Sequence, residues 1–150
     1  MNYFAKARAL ALITPVLLMA GALGSQYYGG LIPCEMCQWQ RWPHYSAIGF
    51  ALIAFVMPKH WLVILAMLSI LVSGAIGIWH AGIEYHWWQG LTHCASLTHG
   101  VSIADIMKMP LVRCDEAQWR MFGVSLAGYN GLISIGAAIG IGFLLKRSRL

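Results

Sequence analysis

The chain has 150 residues, of which 59% are hydrophobic and only 10% are charged, and its formal net charge is +5. A soluble domain carries about 25% charged residues, so this composition excludes an ordinary water-soluble globule and indicates a membrane protein. Half of the basic residues lie near the chain ends, a distribution that fits membrane topology better than a nucleic-acid-binding surface.

Four apolar segments approach the length of about 20 residues that a membrane-spanning helix needs. They are predicted at residues 9–28, 42–57, 61–83 and 121–145. The sequence therefore predicts an all-α membrane protein, with residues 1–150 forming a single domain built as a four-helix transmembrane bundle.

The first apolar segment has a second interpretation. Lys6 and Arg8 precede it and small residues follow it, as in a secretory signal peptide. We favour a retained span, because the run is long for a signal peptide and because Tyr27 and Tyr28 suit an interfacial anchor.

The basic residues near the predicted helix ends set the orientation. With four spans, both termini lie on one side, together with Lys6, Arg8, Lys59, Lys146, Arg147 and Arg149. The other side has fewer basic residues: Arg41, Lys108, Arg113 and Arg120. We therefore expect both termini in the cytoplasm, and two outer loops at residues 29–41 and 84–120.

The second outer loop is long enough to contain structure of its own. Ser102 and Asp105 resemble a capping box at a helix start. Ile103 and Ile106 would share one face, and Pro110 would end the turn. The stretch predicts a short amphipathic helix on the membrane surface, although an irregular loop remains an alternative.

Small residues within the spans indicate where helices approach each other closely. Gly136 and Gly140 form a Gly-x-x-x-Gly pattern in the fourth segment, and Gly74 and Gly77 lie in the third. We expect these glycines to pack against neighbouring helices.

All four cysteines fall in the predicted outer loops. Cys34 and Cys37 lie in the first loop, and Cys94 and Cys114 lie in the second. Disulfides persist in oxidising compartments, so this placement fits paired thiols outside the cytoplasm. Four cysteines permit three pairings, and proximity in the chain favours Cys34 with Cys37 and Cys94 with Cys114.

The stretch PCEMCQWQR, residues 33–41, has features of a reactive pair. A Cys-x-x-Cys disulfide closes so small a loop that it stabilises a fold little, whereas two adjacent sulfurs exchange disulfides readily. The start of a helix stabilises a thiolate. Arg41 and His44 follow Cys37 by four and seven residues, so they would share its helix face. An arginine near a membrane is costly and is a candidate functional residue.

Zinc binding and haem attachment are two other chemistries that use closely spaced cysteines. Zinc would suit four cysteines together with the outer histidines His86, His93 and His99. However, the chain lacks a second closely spaced ligand pair, so no metal site is predicted. Attachment of a c-type haem needs a histidine directly after the pair, where this chain has Gln38. Purely structural disulfides, in a non-enzymatic membrane scaffold or metal-binding protein, remain the alternative.

The combined pattern resembles the disulfide bond formation protein B (DsbB) family. The resemblance rests on four spans, on PCEMCQWQR, and on the stretch CDEAQWRMFGVSLAGYN that begins at Cys114. It covers most of the chain. A vitamin-K-epoxide-reductase-like enzyme is a poorer match, because its active pair lies late in the helical bundle and this pair precedes the second span.

The resemblance implies a quinone-dependent thiol oxidase in the bacterial inner membrane, with periplasmic cysteines, that reoxidises a soluble DsbA-like thioredoxin-fold oxidase. In the family pattern, Cys94 forms the mixed disulfide with this partner and Cys114 is the pairing residue. Electrons then pass to Cys34, which exchanges with Cys114, and to Cys37, which transfers them to the quinone.

The cofactor-binding residues also follow from the resemblance. Arg41 is expected to help hold the quinone, which is ubiquinone or menaquinone, together with Cys37. His80 resembles a histidine near the family's quinone pocket, and Glu84 is a weaker candidate one turn later. His44 joins this group by its position on the face of Cys37. No nucleic acid is expected as a partner, and the sequence leaves open whether the DsbA-like partner is general or dedicated.

Overall fold

The computed structural model describes residues 2–89 and 114–148. This part of the chain contains four helices: α1 (Tyr3–Tyr27), α2 (Glu35–Val56), α3 (His60–Glu84) and α4 (Leu126–Arg147). A short antiparallel hairpin precedes α4 and consists of β1 (Arg120–Met121) and β2 (Val124–Ser125). The predicted helical fold is confirmed. The predicted surface helix of residues 102–110 lies outside the described residues.

Three of the four described helices, α1, α3 and α4, are long and apolar enough to cross a membrane, by length and composition. Helix α2 is of similar length, but its first three turns carry polar side chains, which are Glu35, Gln38, Gln40, Arg41 and His44. These polar residues explain why hydropathy alone places the second apolar segment at residue 42, whereas the helix already begins at Glu35.

The hairpin determines where α4 starts. Its turn residues, Phe122 and Gly123, both have positive φ angles, of 50° and 79°. Two positive φ angles are typical of the tight turns that join antiparallel strands. Ser125 then caps α4, because its side chain accepts a hydrogen bond from the backbone N–H of Gly128. The last helix therefore begins at Leu126.

The helices form one packed bundle. Helix α3 lies against both α2 and α4, and α1 lies against α2 and α4 as well. Many of the buried residues between them are small, and they include Ala7, Ala11, Ala47, Ala51, Ala54 and Ala66. Small residues let helix backbones approach closely within a membrane.

The glycines of α3 make the closest helix contacts with α4. A Cβ atom added at Gly77 would lie 2.9 Å from both the Ala127 carbonyl oxygen and the Gly131 nitrogen. One at Gly74 would lie 2.9 Å from the Ser134 Cβ. The predicted close approach is thus confirmed for both. For Gly136 it is wrong, since an added Cβ would meet nothing within 4 Å.

Candidate functional site

The cysteine pair lies at the start of α2. Cys34 is the N-cap residue, and its sulfur accepts a hydrogen bond from the Cys37 backbone N–H at 3.2 Å. Its S–H donates to the Cys37 sulfur, 2.7 Å away. Both residues are free thiols. The helix N-terminus therefore faces the pair with unpaired N–H groups and favours negative charge on sulfur.

Arg41 lies one turn after Cys37 and links α2 to α1. The side chain is 9% exposed. It donates hydrogen bonds to the Gln26 side-chain oxygen at 2.6 Å and to the Ala22 carbonyl at 3.3 Å. A guanidinium has five N–H donors, so these two bonds leave donors for an acceptor oxygen of a ligand.

His80 of α3 faces the first cysteine. Its Nε2 lies 3.7 Å from the Cys34 sulfur and 3.8 Å from a carboxylate oxygen of Glu84. The ring also hydrogen-bonds to the backbone of Cys114. These residues are buried, and Cys34 and Cys114 belong to one apolar cluster that also contains Met36. The fold thus brings the Cys34 sulfur and the backbone of Cys114, which come from the two cysteine-containing loops, to the same histidine.

The second loop is also tied directly to the first. The Gln118 side chain donates to the Ile32 carbonyl at 2.7 Å and accepts from the Ile32 backbone N–H at 3.1 Å. Ile32 precedes Cys34 by two residues, and Gln118 follows Cys114 by four. This pair of hydrogen bonds fixes the chain around one cysteine relative to the chain around the other.

Cys114 is disulfide-bonded. Cys94, which the sequence pairs with it, lies outside the described residues. The two loops therefore differ in redox state in this structure, with free thiols at the helix start and an oxidised cysteine beside them. Such a juxtaposition is the geometry that thiol–disulfide exchange requires, because a thiolate must reach a disulfide sulfur.

An amide of α2 sets the protonation pattern of His80. The Gln40 Nε2 donates to the Met36 carbonyl at 3.2 Å and lies 2.9 Å from the His80 Nδ1. A backbone carbonyl only accepts, so it identifies the Gln40 nitrogen as the donor, and the His80 Nδ1 must accept. In the neutral ring the proton is then on Nε2, the atom that faces the Cys34 sulfur.

This tautomer bears on metal binding. The sulfurs of Cys34 and Cys37 and a ring nitrogen of His80 lie within 4.8 Å of one another, which is a spacing that suits a soft metal ion. A metal ion at this position would have to displace the proton on Nε2 and the protons of the two thiols.

A cavity of about 210 Å³ lies beside the pair. Its wall includes Cys34, Cys37, Arg41, His44, His80 and Glu84, and apolar side chains of α1 and α4 complete it. An apolar protein cavity of roughly 150 Å³ is sufficient for benzene, so this one has room for a substituted six-membered ring. Arg41 adds spare donors for a ring oxygen. The residues present fit a quinone head group.

Each predicted site residue within the described part of the chain lies on this cavity or next to it. Sequence reasoning missed the buried amide of Gln40, the partly buried amide of Asn130 and the hydroxyl of Ser73, which connects to them. Asn130 gave a usable signal, because it is the one amide side chain in the apolar sequence of α4, and polar residues inside membrane helices are commonly functional.

Comparison with known proteins agrees with the geometry. The family model described as "Disulfide bond formation protein DsbB" matches residues 5–144. A relative in Rickettsia prowazekii (strain Madrid E), described as an uncharacterized protein, is 28% identical over 158 aligned positions, which cover 96% of this chain and 92% of the relative. No solved structure matches the chain. Because the family match spans nearly the whole sequence, the chain belongs to the DsbB family of membrane proteins for disulfide bond formation.

Proposed function

We propose that the protein is a thiol oxidase that passes electrons from the Cys34–Cys37 pair to a membrane quinone. The observation that supports this most strongly is that both sulfurs and the Arg41 side chain line one cavity of suitable size for the ring. Family membership already indicates a membrane oxidoreductase that acts on disulfides. The quinone, which is ubiquinone or menaquinone, is the part that the proposal adds.

The roles of the residues follow from their contacts. Cys37 is the sulfur that would react with the quinone ring, because it accepts a hydrogen bond from the Cys34 thiol and lies in the first turn of α2. Arg41, one turn on, holds an oxygen of the ring with the donors that Gln26 and Ala22 leave unused. A bound quinone supplies the two-electron sink, and takes up two protons, as the two thiols become a disulfide.

The Cys34–Cys37 pair receives new electrons through the second outer loop. We propose that a reduced DsbA-like thioredoxin-fold protein attacks the loop cysteines, with the mixed disulfide at Cys94. Cys114 then attacks Cys34 of the oxidised pair, and the position of both residues in one buried cluster supports this order. His80 contacts both residues, and its Nε2–H can stabilise negative charge on the Cys34 sulfur during the exchange.

The same proposal includes the membrane arrangement. We propose that residues 1–150 form one domain with four spans in the bacterial inner membrane, in which both termini are cytoplasmic and the cysteines periplasmic. The polar start of α2 would then lie at the periplasmic face. Six basic residues on the side of the termini, against four on the other side, support this orientation.

The test is quinone-dependent reoxidation of a reduced thioredoxin-fold oxidase by the purified full-length protein. Cys34→Ser and Cys37→Ser should each abolish turnover, whereas Gln38→Ser, at the exposed neighbouring position, should retain it. If both cysteine variants turned over at the normal rate with quinone, the proposal would be wrong.

A further inference from the structure

His44 of α2 has a buried ring nitrogen that the proposed electron transfer does not use. The residue is 3% exposed and forms part of the cavity wall. Its Nδ1 is buried and has no hydrogen-bond partner among the described residues. A buried polar atom without a partner is unfavourable, so an unpartnered nitrogen on a side chain of the cavity wall points to a ligand that satisfies it.

The neighbours of His44 determine whether this nitrogen donates or accepts. The Asn130 Nδ2 contacts the Ser73 backbone carbonyl at 3.3 Å, and a carbonyl identifies it as the amide nitrogen. The other end of the amide, Oδ1, must therefore accept, and it lies 2.8 Å from the His44 Nε2. In the neutral ring Nε2 carries the proton and Nδ1 is a bare acceptor.

We infer that the His44 Nδ1 accepts a hydrogen bond from a hydroxyl group of the reduced ring, the quinol, in the cavity. This inference rests on the proposed function. A quinone oxygen only accepts hydrogen bonds, so it gains nothing from a bare lone pair. A quinol hydroxyl donates, so of the two ring forms only the reduced one can satisfy Nδ1.

The consequence is a preference for the product state. Arg41 offers donors, which both ring forms can use because both carry oxygen lone pairs. His44 offers an acceptor, which discriminates between them. A site that binds quinol more tightly than quinone draws electrons from the thiols toward the ring, and His44 is in this sense a specificity-determining residue.

Two substitutions separate this role from a structural one. His44→Gln places an amide group near the position of Nε2, so it can keep the contact with Asn130, but it has no acceptor at the position of Nδ1. His44→Asn places its amide oxygen near the position of Nδ1 and gives up the contact with Asn130. A structural role would make the asparagine variant the worse of the two, whereas an acceptor role would make the glutamine variant worse.

The experiment measures binding of a short-tail benzoquinone and its quinol to the full-length protein, in a Cys34→Ser, Cys37→Ser background that prevents turnover. We expect His44→Gln to lower the ratio of quinol affinity to quinone affinity by about fivefold to tenfold, the value of one neutral hydrogen bond. His44→Asn should retain most of the ratio. A short-tail naphthoquinone and its quinol should follow the same order.

The outcomes are distinguishable. If the background protein binds neither ring form and the reduced protein with its native cysteines reduces no added quinone, the proposed function is wrong. If it binds both and the ratio is unchanged in His44→Gln, the role of His44 is overturned while the proposed function stands. A loss of quinone affinity alone in His44→Gln would also overturn the role of His44, because it would mean that the imidazole donates a hydrogen bond to the quinone.

Discussion

The two cysteines of the pair differ in environment although only two residues separate them. Cys34 is 5% exposed and donates its proton to Cys37, and this hydrogen bond and burial raise the pKa of the Cys34 thiol above its ordinary value. Cys37 is half-buried and lies inside the helix start. The negative charge of the reduced pair is therefore held on Cys37, the sulfur proposed to face the ring.

This asymmetry predicts the order of alkylation. Because the hydrogen bond to Cys37 and burial raise the pKa of the Cys34 thiol, iodoacetamide should modify Cys37 first, and Cys34 should react more slowly. Mass spectrometry of the reduced protein over a pH series measures both rates. Faster labelling of Cys34 than of Cys37 at pH 7 would contradict the assignment.

Gln40 connects the thiol site to the interior of the bundle. Its side chain contacts Met36, His80 and Asn130, and all three contacts are 3.2 Å or shorter. The amide therefore holds α2, α3 and α4 together and also fixes the tautomer of His80.

Replacing this amide should destabilise the protein. Gln40→Leu removes two buried hydrogen bonds and one partly buried one, and we expect a loss of about 1–2 kcal/mol in the free energy of unfolding, measured in mixed detergent micelles. Gln38→Leu is the matched control, since Gln38 is exposed on the same helix and its replacement should change stability by less than about 0.5 kcal/mol. Equal effects of the two substitutions would contradict a stabilising role for the hydrogen bonds of Gln40.

Sequence reasoning reached some of these residues and missed others for a physical reason. Cys37, Arg41 and His44 are linked by helical spacing, which is a local property that the sequence displays. The contact between Gln40 and Asn130 joins residues 90 positions apart. Such a contact depends on how α2 and α4 pack, and no local pattern encodes it.

At the level of the helices, the contact between α3 and α4 is set by glycines. Gly77 lies against the backbone of α4 at Ala127 and Gly131, and an added Cβ would lie 2.9 Å from backbone atoms that have little freedom to move. The polar side chain of Asn130 lies at the same crossing, 3.1 Å from that Cβ position. Close packing here and the position of the buried amide are therefore coupled.

An alanine scan of two glycines tests this coupling. Gly77→Ala should force the helices apart and cost about 1–3 kcal/mol in the free energy of unfolding, with a slower oxidation of the thiols by quinone. Gly136→Ala is the control, because its added methyl group meets open space and helix propensity favours alanine by about 1 kcal/mol. If Gly77→Ala were as stable as Gly136→Ala, the close contact would not be a determinant of the bundle.

Helix boundaries show what hydropathy detects and what it does not. The third apolar segment, 61–83, lies within α3 (His60–Glu84) because that helix is apolar throughout. The second segment starts seven residues after α2 does, since the functional start of α2 is polar. The first residues of the fourth segment, 121–125, belong to the hairpin and not to α4, and hydropathy does not distinguish them from a span. The polar residues at the start of α2 and the hairpin before α4 are why hydropathy misplaces these two helix starts.

At the level of the whole molecule, the basic residues near both termini predict cytoplasmic chain ends. In a background without native cysteines, Tyr28→Cys should react with a membrane-impermeant maleimide in cells whose outer membrane has been permeabilised, because Tyr28 is 96% exposed at the proposed periplasmic end of α1. Ser148→Cys should react only after the inner membrane is opened. The reverse pattern would invert the topology.

The central claim is that electrons leave the Cys34–Cys37 thiols for a quinone bound beside them. The most direct test adds one equivalent of a short-tail quinone to the reduced full-length protein without oxygen or a protein partner, and counts thiols and quinol. We predict that one quinone is reduced for every two thiols lost at Cys34 and Cys37, and that Cys37→Ser abolishes the reaction. Thiols that persist at these two positions while the quinone stays oxidised would contradict the account.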